Sequence, residues 1–243
     1  MIVSYDGTAY CGWQIQKKGV TIQGLLEDAL YKITEEKIKV VGSGRTDAGV
    51  HAEGQVCHFD TIKTNIPPEK YKFCINNLLP CDIRILKSEL ASDDFHARYT
   101  AKQKTYIYNM YISDTILPLK DKYSLRVDKV NIDIMKDCAK LFLGEHDFAA
   151  FCSTGSSVIS TKRKIFDIFI ENCENDIKLL VTGDGFLYNM VRIISGTLLL
   201  AAQQKICKED IEKALKNGDR KLAGKTLAAK ALVLKNVEYS LKI

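Results

Sequence analysis

The sequence lacks most of the features that settle a function at sight. Its eight cysteines (Cys11, Cys57, Cys74, Cys81, Cys138, Cys152, Cys173, Cys207) form no C-x-x-C pair, and none of the four histidines (His51, His58, His96, His146) stands near one at metal-finger spacing. No metal is therefore expected, and the cysteines read as small core hydrophobes of a reducing compartment. The longest weakly polar run, residues 193–202, is broken by Ser195, Gly196 and Thr197 and falls short of the roughly 20 apolar residues that span a bilayer, so no membrane partner is expected. The opening MIVSYDGTAY has no basic flank followed by an apolar stretch, which speaks against a secretory signal and for a cytoplasmic protein. Two nucleotide-binding signatures fail as well. Ala223-Gly224-Lys225-Thr226 looks like the end of a P-loop, but Asp219 stands where its first glycine belongs; Gly183-Asp184-Gly185 lacks the third glycine of a dinucleotide fingerprint and reads as a turn.

What is present is a chain of 243 residues, 46% hydrophobic, enough for one large domain or two small ones. Periodicity gives a strand at 2–5, then a helix on which Ile22, Leu25, Leu26, Ala29, Leu30 and Ile33 share one face behind Thr21 as N-cap. Strands at 38–41 and 55–60, a helix opened by Pro67-Pro68, and a strand at 83–86 complete a βαββαβ order. The second half repeats that order: a strand at 104–112, a helix at 132–143 ended by Gly144, strands at 164–170 and 177–182, and a helix at 186–203. An added helix at 208–216 and a last strand at 232–239 follow. The expected fold is α+β, two ferredoxin-like halves of antiparallel sheet with helices on one face, residues 1–100 and 101–243. No Pro- or Gly-rich linker marks the join near 99–103, which suggests packed halves.

Three stretches carry candidate chemistry. The first is GSGRTDAGVHA, residues 42–52, between two strands. Glycines alone would make it a turn; a turn does not require Arg45 and Asp47. Asp47, ionised at neutral pH with a reference pKa of about 3.9, could act as nucleophile or general base if a cation kept it charged once substrate excluded water. Thr46, between them, has no evident role. The second runs from Phe95, His96, Ala97, Arg98 and Tyr99 into the strand that places Tyr106, Tyr108 and Met110 on one face, a mixture of aromatic and basic residues that suits both half-buried packing and base stacking beside phosphate. In the third, Asp184 to Arg192, Arg192 is the only charge between Gly185 and Lys205, so it either snorkels to the surface or has a carboxylate partner, for which Asp47 is a candidate. Lysines and arginines also bunch (Arg98, Lys102, Lys104; Lys120, Lys122, Arg126, Lys129; Lys162, Arg163, Lys164; Lys216, Arg220, Lys221, Lys225), as on a solvated face or a polyanion-binding one, though the formal net charge is only +5.

From Tyr5 to Tyr239 the chain resembles the TruA family of tRNA pseudouridine synthases. The resemblance rests on Tyr5-Asp6-Gly7-Thr8 with Tyr10 and Gly12-Trp13-Gln14, the full GRTDAGVHA, Phe95-His96-Ala97-Arg98, Lys104 to Tyr108, Gly144-Glu145-His146-Asp147-Phe148, and Phe186 to Arg192. It implies the two ferredoxin-like halves as one continuous sheet with the active cleft at its centre. It also implies isomerisation of uridine to pseudouridine at positions 38, 39 and 40 of the tRNA anticodon stem-loop by a homodimer, without cofactor or metal. In that family Asp47 would be the catalytic carboxylate, attacking the ribose or the uracil ring. Tyr106 would stack on the flipped uracil and assist proton removal from C5, and Arg192 would pair with Asp47. Arg45 would fill the gap left by the flipped base, and Phe95 to Tyr99, with Arg98 foremost, would grip RNA.

Three other readings fit the residues less well. An inactive RNA-binding protein of the same fold needs no carboxylate facing an anionic ligand, yet Asp47, Tyr106 and Arg192 are all present. A uracil C5 methyltransferase would want a thiolate, and no cysteine sits in a glycine-rich nucleotide loop. An aspartate-based phosphohydrolase would want several acidic residues around Mg²⁺, and only Glu53 and Asp60 lie close to Asp47 in sequence.

Overall fold

Thr21 opens the first helix of the computed structural model in the way its spacing predicts: its side chain accepts a hydrogen bond from Gly24 N–H at 3.3 Å. The structure describes residues 1–63, 65–155 and 159–240. Among them the chain is α+β with mostly antiparallel strand pairing, and it divides into two units, Met1–Lys102 with the chain from Val233 on, and Gln103–Leu232.

The first unit runs β1 (Ile2–Tyr5), α1 (Ile22–Thr34), β2 (Val41–Gly42), β3 (His51–His58), α2 (Tyr71–Asn76) and β4 (Ile83–Lys87). β1 lies between β3 and β4, antiparallel to both. Ile22, Leu26 and Leu30 of α1 are fully buried, each contributing roughly 1.5–3 kcal/mol, while Leu25 and Ile33 sit half-buried at the edges of the stripe. α2 packs on α1 and β4. The strand expected at 38–41 shrinks to the two residues of β2. Ile38 and Val40 do bury alternately. The backbone of Val40, however, is hydrogen-bonded by helix side chains: its N–H donates to Glu27 Oε1 at 2.9 Å and its carbonyl accepts from Gln23 Nε2 at 3.1 Å. Side chains of α1 thus take the place of a ladder.

In the second unit follow β5 (Ala101–Ile112), α3 (Pro118–Asp121), β6 (Leu125–Val127), α4 (Ile132–Ala139), β7 (Gly144–Asp147), β8 (Lys162–Cys173), β9 (Asp176–Gly183), α5 (Met190–Ala202) and α6 (Lys208–Asn217). Its strands run β5-β9-β8-β7, all antiparallel, with β6 parallel to β5 at one end. α4 packs on α5 and β8. The helix expected at 132–143 tightens into a 3₁₀ turn at Lys140–Phe142, and Gly144, with φ of 93°, turns the chain into β7. The helix expected from Phe186 starts four residues late, at Met190. The last strand, β10 (Leu232–Tyr239), pairs in parallel with β3 through Val233 and Leu234 opposite His51 and Ala52.

Candidate active site

The loop between β2 and β3 is held from beneath by the first residues of the chain. Ser43 and Thr46 point inward and are buried, Arg45 between them is exposed, and Asp47 is half-buried. Ser43 Oγ donates to Gln55 Oε1 at 2.6 Å, and Gln55 Nε2 returns a bond to the Gly44 carbonyl at 3.0 Å. Thr46 is pinned twice: its hydroxyl shares a 2.7 Å hydrogen bond with the Tyr5 hydroxyl, and its carbonyl accepts from Trp13 N–H at 3.0 Å. Burial pushes the Tyr5 phenol well above its usual range, against the opposing pull of its bonds to Thr46 and Gln55, so it stays neutral. Val50 N–H closes a turn onto the Asp47 carbonyl at 3.1 Å, with Gly49 at φ 78°. That left-handed position explains one glycine of the motif.

His51, the next residue, is buried at the start of β3 and accepts from Gly7 N–H at Nδ1, 3.0 Å away. Asp6 Oδ1 lies 3.1 Å from the same nitrogen. In the bond from Gly7, Nδ1 is the acceptor. Asp6 instead accepts from the Thr8 N–H and hydroxyl at 3.0 and 2.5 Å.

Phe95 to Tyr99 form a second ordered feature of the same unit. Ala97 is wholly buried, with its N–H on His58 Nδ1 at 3.1 Å and its carbonyl accepting from the Tyr239 hydroxyl at 2.7 Å. His96 Nδ1 accepts from the N–H groups of Arg98 and Tyr99, both at 3.2 Å. Rings follow one another through contacts of Tyr99 with His96, His96 with His58, His58 with Phe95, and Phe95 with Tyr239, at centroid distances of 4.3, 4.8, 6.0 and 5.0 Å. The run ends in solvent at Tyr99, 75% exposed, with the Arg98 guanidinium 5.7 Å from its ring. A cavity of about 770 Å³ opens beside it, lined in part by His58, Tyr71 and Phe95. Asp60, Glu89, Asp93 and Glu238 outnumber Lys63 and Lys87 in its lining, a balance that does not suit phosphate.

In the second unit Tyr106 is buried on β5, opposite Val181 of β9, with Phe186 edge-on at 5.2 Å. Two residues on, Tyr108 donates to the Ala228 carbonyl at 2.9 Å; burial pushes its phenol up, with the nearby Arg192 charge opposing. Arg192, in the first turn of α5, donates from Nε to the Leu227 carbonyl at 2.7 Å and from Nη1 to Asn189 Oδ1 at 2.5 Å. The segment carrying Leu227 is the apparent P-loop. Gly224 and Gly196 meet backbone to backbone: a Cβ on Gly196 would stand 2.1 Å from the Lys225 oxygen. Gly224 N–H donates to Thr197 Oγ1 at 2.8 Å. The glycines there allow a crossing that brings a carbonyl to Arg192. Asp184, for its part, makes a turn by accepting from Lys164 N–H at 3.0 Å.

Thr46, Tyr5, Gln55 and Asn189 are the supporting residues that sequence reasoning left unassigned. Among the basic clusters, Arg98, Lys102, Lys162 and Lys164 are exposed. Others have intramolecular partners: Lys120 binds Asp176 at 2.6 Å, and Arg220 holds the Ala223 and Gly224 carbonyls at 3.2 and 2.8 Å. The cysteines also divide. Cys57 and Cys138 are buried, but Cys81, Cys173 and Cys207 are exposed, which corrects the expectation of a core role for all eight. Among the described residues no cluster of three or more His, Cys, Asp or Glu could hold a metal ion, and no helix is long and apolar enough to cross a membrane.

Residues 1–100 and 138–240 match the family described as tRNA pseudouridine synthase. Over 240 residues the chain is 45% identical to tRNA pseudouridine synthase A of Clostridium acetobutylicum, with 98% of each chain covered. It is 44% identical over 242 residues to the protein of that name from Ruminiclostridium cellulolyticum and 43% identical over 240 residues to that from Acetivibrio thermocellus, again with 98% of both chains covered. Against a chain of the solved Cbf5-Nop10-Gar1 complex the TM-score is 0.39 at 12% identity, over 93% of this chain and 60% of that one, too distant a likeness to inform the site. The matched residues take in the loop of Asp47 and the helix of Arg192, while Tyr106 falls between them. By that match and by near-complete coverage of its relatives, the chain belongs to the tRNA pseudouridine synthase family.

Proposed function

We propose that this protein is an isomerase that converts uridine to pseudouridine at positions 38, 39 and 40 of the tRNA anticodon stem-loop, with Asp47 as the catalytic carboxylate. The observation that carries the reading is the alternation in the loop: Thr46 is locked inward by Tyr5 and Trp13, and it sets Arg45 outward and Asp47 half-buried on either side. A side chain held on a backbone this constrained suits a group that must meet a reacting atom within a few tenths of an ångström.

In the reaction the C1′–N1 bond breaks, the uracil turns, and C5 bonds to C1′; C5 loses its hydrogen and N1 gains one. Asp47 attacks the ribose or the ring during this exchange, Arg192 keeps it ionised, and Tyr106 stacks on the flipped base and assists removal of the C5 proton. Arg45 takes the base's place in the stem, which offsets part of the few kcal/mol that unstacking costs. Phe95 to Tyr99 grip the RNA, with Tyr99 and Arg98 as the exposed stacking and phosphate-binding pair and His96 and Ala97 ordering the backbone behind them. The protein acts as a cytoplasmic homodimer and uses no cofactor.

Incubated with tRNA tritiated at uracil C5, the protein should release label, and the folded protein releasing none from a uridine-bearing substrate would remove the reading. Asp47→Asn should abolish release while leaving tRNA affinity within about threefold, since a carboxylate beside an anionic ligand is not needed for binding. Wild-type turnover by that variant would acquit Asp47.

A further inference from the structure

Asn189 departs from two local rules at once. It is the residue before the first turn of α5, the N-cap position, yet its φ and ψ are 62° and 8°, the left-handed region that favours glycine. An asparagine at an N-cap ordinarily accepts a bond from a backbone N–H of the turn that follows, and this side chain makes none. Its Oδ1 accepts from Arg192 Nη1 at 2.5 Å, and its Nδ2 donates to Ser153 Oγ at 2.9 Å. The guanidinium, a donor only, fixes which way the amide faces: flipped, the amide would turn an NH₂ group on it, while the Ser153 hydroxyl takes either role. Ser153 is itself tied to the same turn, its N–H donating to the Tyr188 carbonyl at 3.1 Å. With the Leu227 carbonyl on Nε, Arg192 is gripped on two sides by groups from different segments.

We infer that Asn189 is the positioning residue of Arg192: its left-handed backbone and forgone cap serve to fix the direction of the guanidinium. This rests on the reading of Arg192 as the partner of Asp47 in uridine isomerisation. A glycine at 189 would adopt the same backbone without strain and would be the stabilising choice if the turn alone mattered.

The test is a double-mutant cycle of Asn189→Gly and Arg192→Lys, read by single-turnover tritium release from C5-labelled tRNA, with tRNA affinity and thermal unfolding measured alongside. Wild-type protein that releases no label defeats the parent reading before any variant is compared. With active wild type, Asn189→Gly should lower the single-turnover rate about 10- to 100-fold, the scale of a misplaced catalytic group, and leave tRNA affinity within about twofold. In the Arg192→Lys background it should cost little more, because the residue it acts through has already changed. Ser153→Ala should reproduce part of the loss. Full activity in Asn189→Gly would overturn the inference, as would losses that multiply in the double variant. So would a glycine variant that fails to fold, which would give the side chain a purely structural duty.

Discussion

Removing both hydroxyls beneath the Asp47 loop should cost less than the two single removals added together. Tyr5 and Thr46 are 4% and 5% exposed, and their hydroxyls share a 2.7 Å hydrogen bond. Tyr5→Phe leaves the Thr46 hydroxyl buried without that partner, and Thr46→Val, close in shape, does the same to Tyr5, whose remaining contact is with Gln55. Each stranded hydroxyl carries a desolvation penalty of about 1–3 kcal/mol, whereas an apolar pair of matched shape avoids it. Each single variant should therefore lower stability by about 1–2 kcal/mol, a fall in Tm of roughly 2–8 °C. The double variant should lose less than their sum by about 1 kcal/mol, within the range of contacting pairs. Since the backbone of Thr46 leads directly to Asp47, the turnover rate in tritium release should drop about tenfold in each single variant at unchanged tRNA affinity. Urea denaturation of the four proteins gives the cycle. Strict additivity, or single variants as stable as wild type, would show that the bond does not fasten the loop.

Two further outcomes follow from other parts of the molecule. His58 accepts from Ala97 N–H only while its Nδ1 is unprotonated, and burial, followed by the nearby His96, holds its pKa below the usual value, with Asp60 opposing and the N-terminal ammonium reinforcing. Below its unfolded pKa of about 6.5 the unfolded chain takes up a proton that the folded one resists. Stability should thus fall as pH drops through 6.5 toward the lower folded value, and the fall should shrink in His58→Asn, which keeps an acceptor and does not titrate. Equal pH dependence of the two in urea melts would refute this. Gly196→Ala, with its new carbon 2.1 Å from the Lys225 oxygen, must push the crossing segment away. It should lower stability by about 1–3 kcal/mol and, by withdrawing the Leu227 carbonyl from Arg192, slow turnover more than it weakens tRNA binding; a variant with wild-type melting and rate would contradict it.

The elements legible in the sequence are those whose determinants are local. The α1 stripe and its Thr21 cap lie within one window, and the alternation expected to put Tyr106, Tyr108 and Met110 on one face of β5 falls on three residues that are all buried. The strand at 38–41 was misread because its partners are side chains from another element, Gln23 and Glu27, which no alternation pattern reveals. The start of α5 was misread for a related reason: the apolar run continues through Phe186 and Leu187, but tertiary contacts hold that turn open, with Ser153 on the Tyr188 carbonyl and Phe186 against Tyr106. Within the candidate site, Asp47 and Arg192 stood out as charges in small or apolar surroundings. Thr46 did not, since the hydroxyl that gives it meaning belongs to Tyr5, 41 residues upstream.

The parallel pairing of β10 with β3 bears on the order in which a nascent chain can finish this unit. His51 and Ala52, the first residues after the Asp47 turn, find Val233 and Leu234 as strand neighbours, and beside them Lys235 reaches back to Glu53 across 182 positions of sequence. During synthesis the loop's exit strand must wait, with that stretch of edge uncovered, until residues 182 positions downstream have been made. Such long-range closure is slow and exposes strand edges to wrong partners. This unit therefore gains the strand neighbour of the Asp47 loop only after the chain as far as Leu234 has been made.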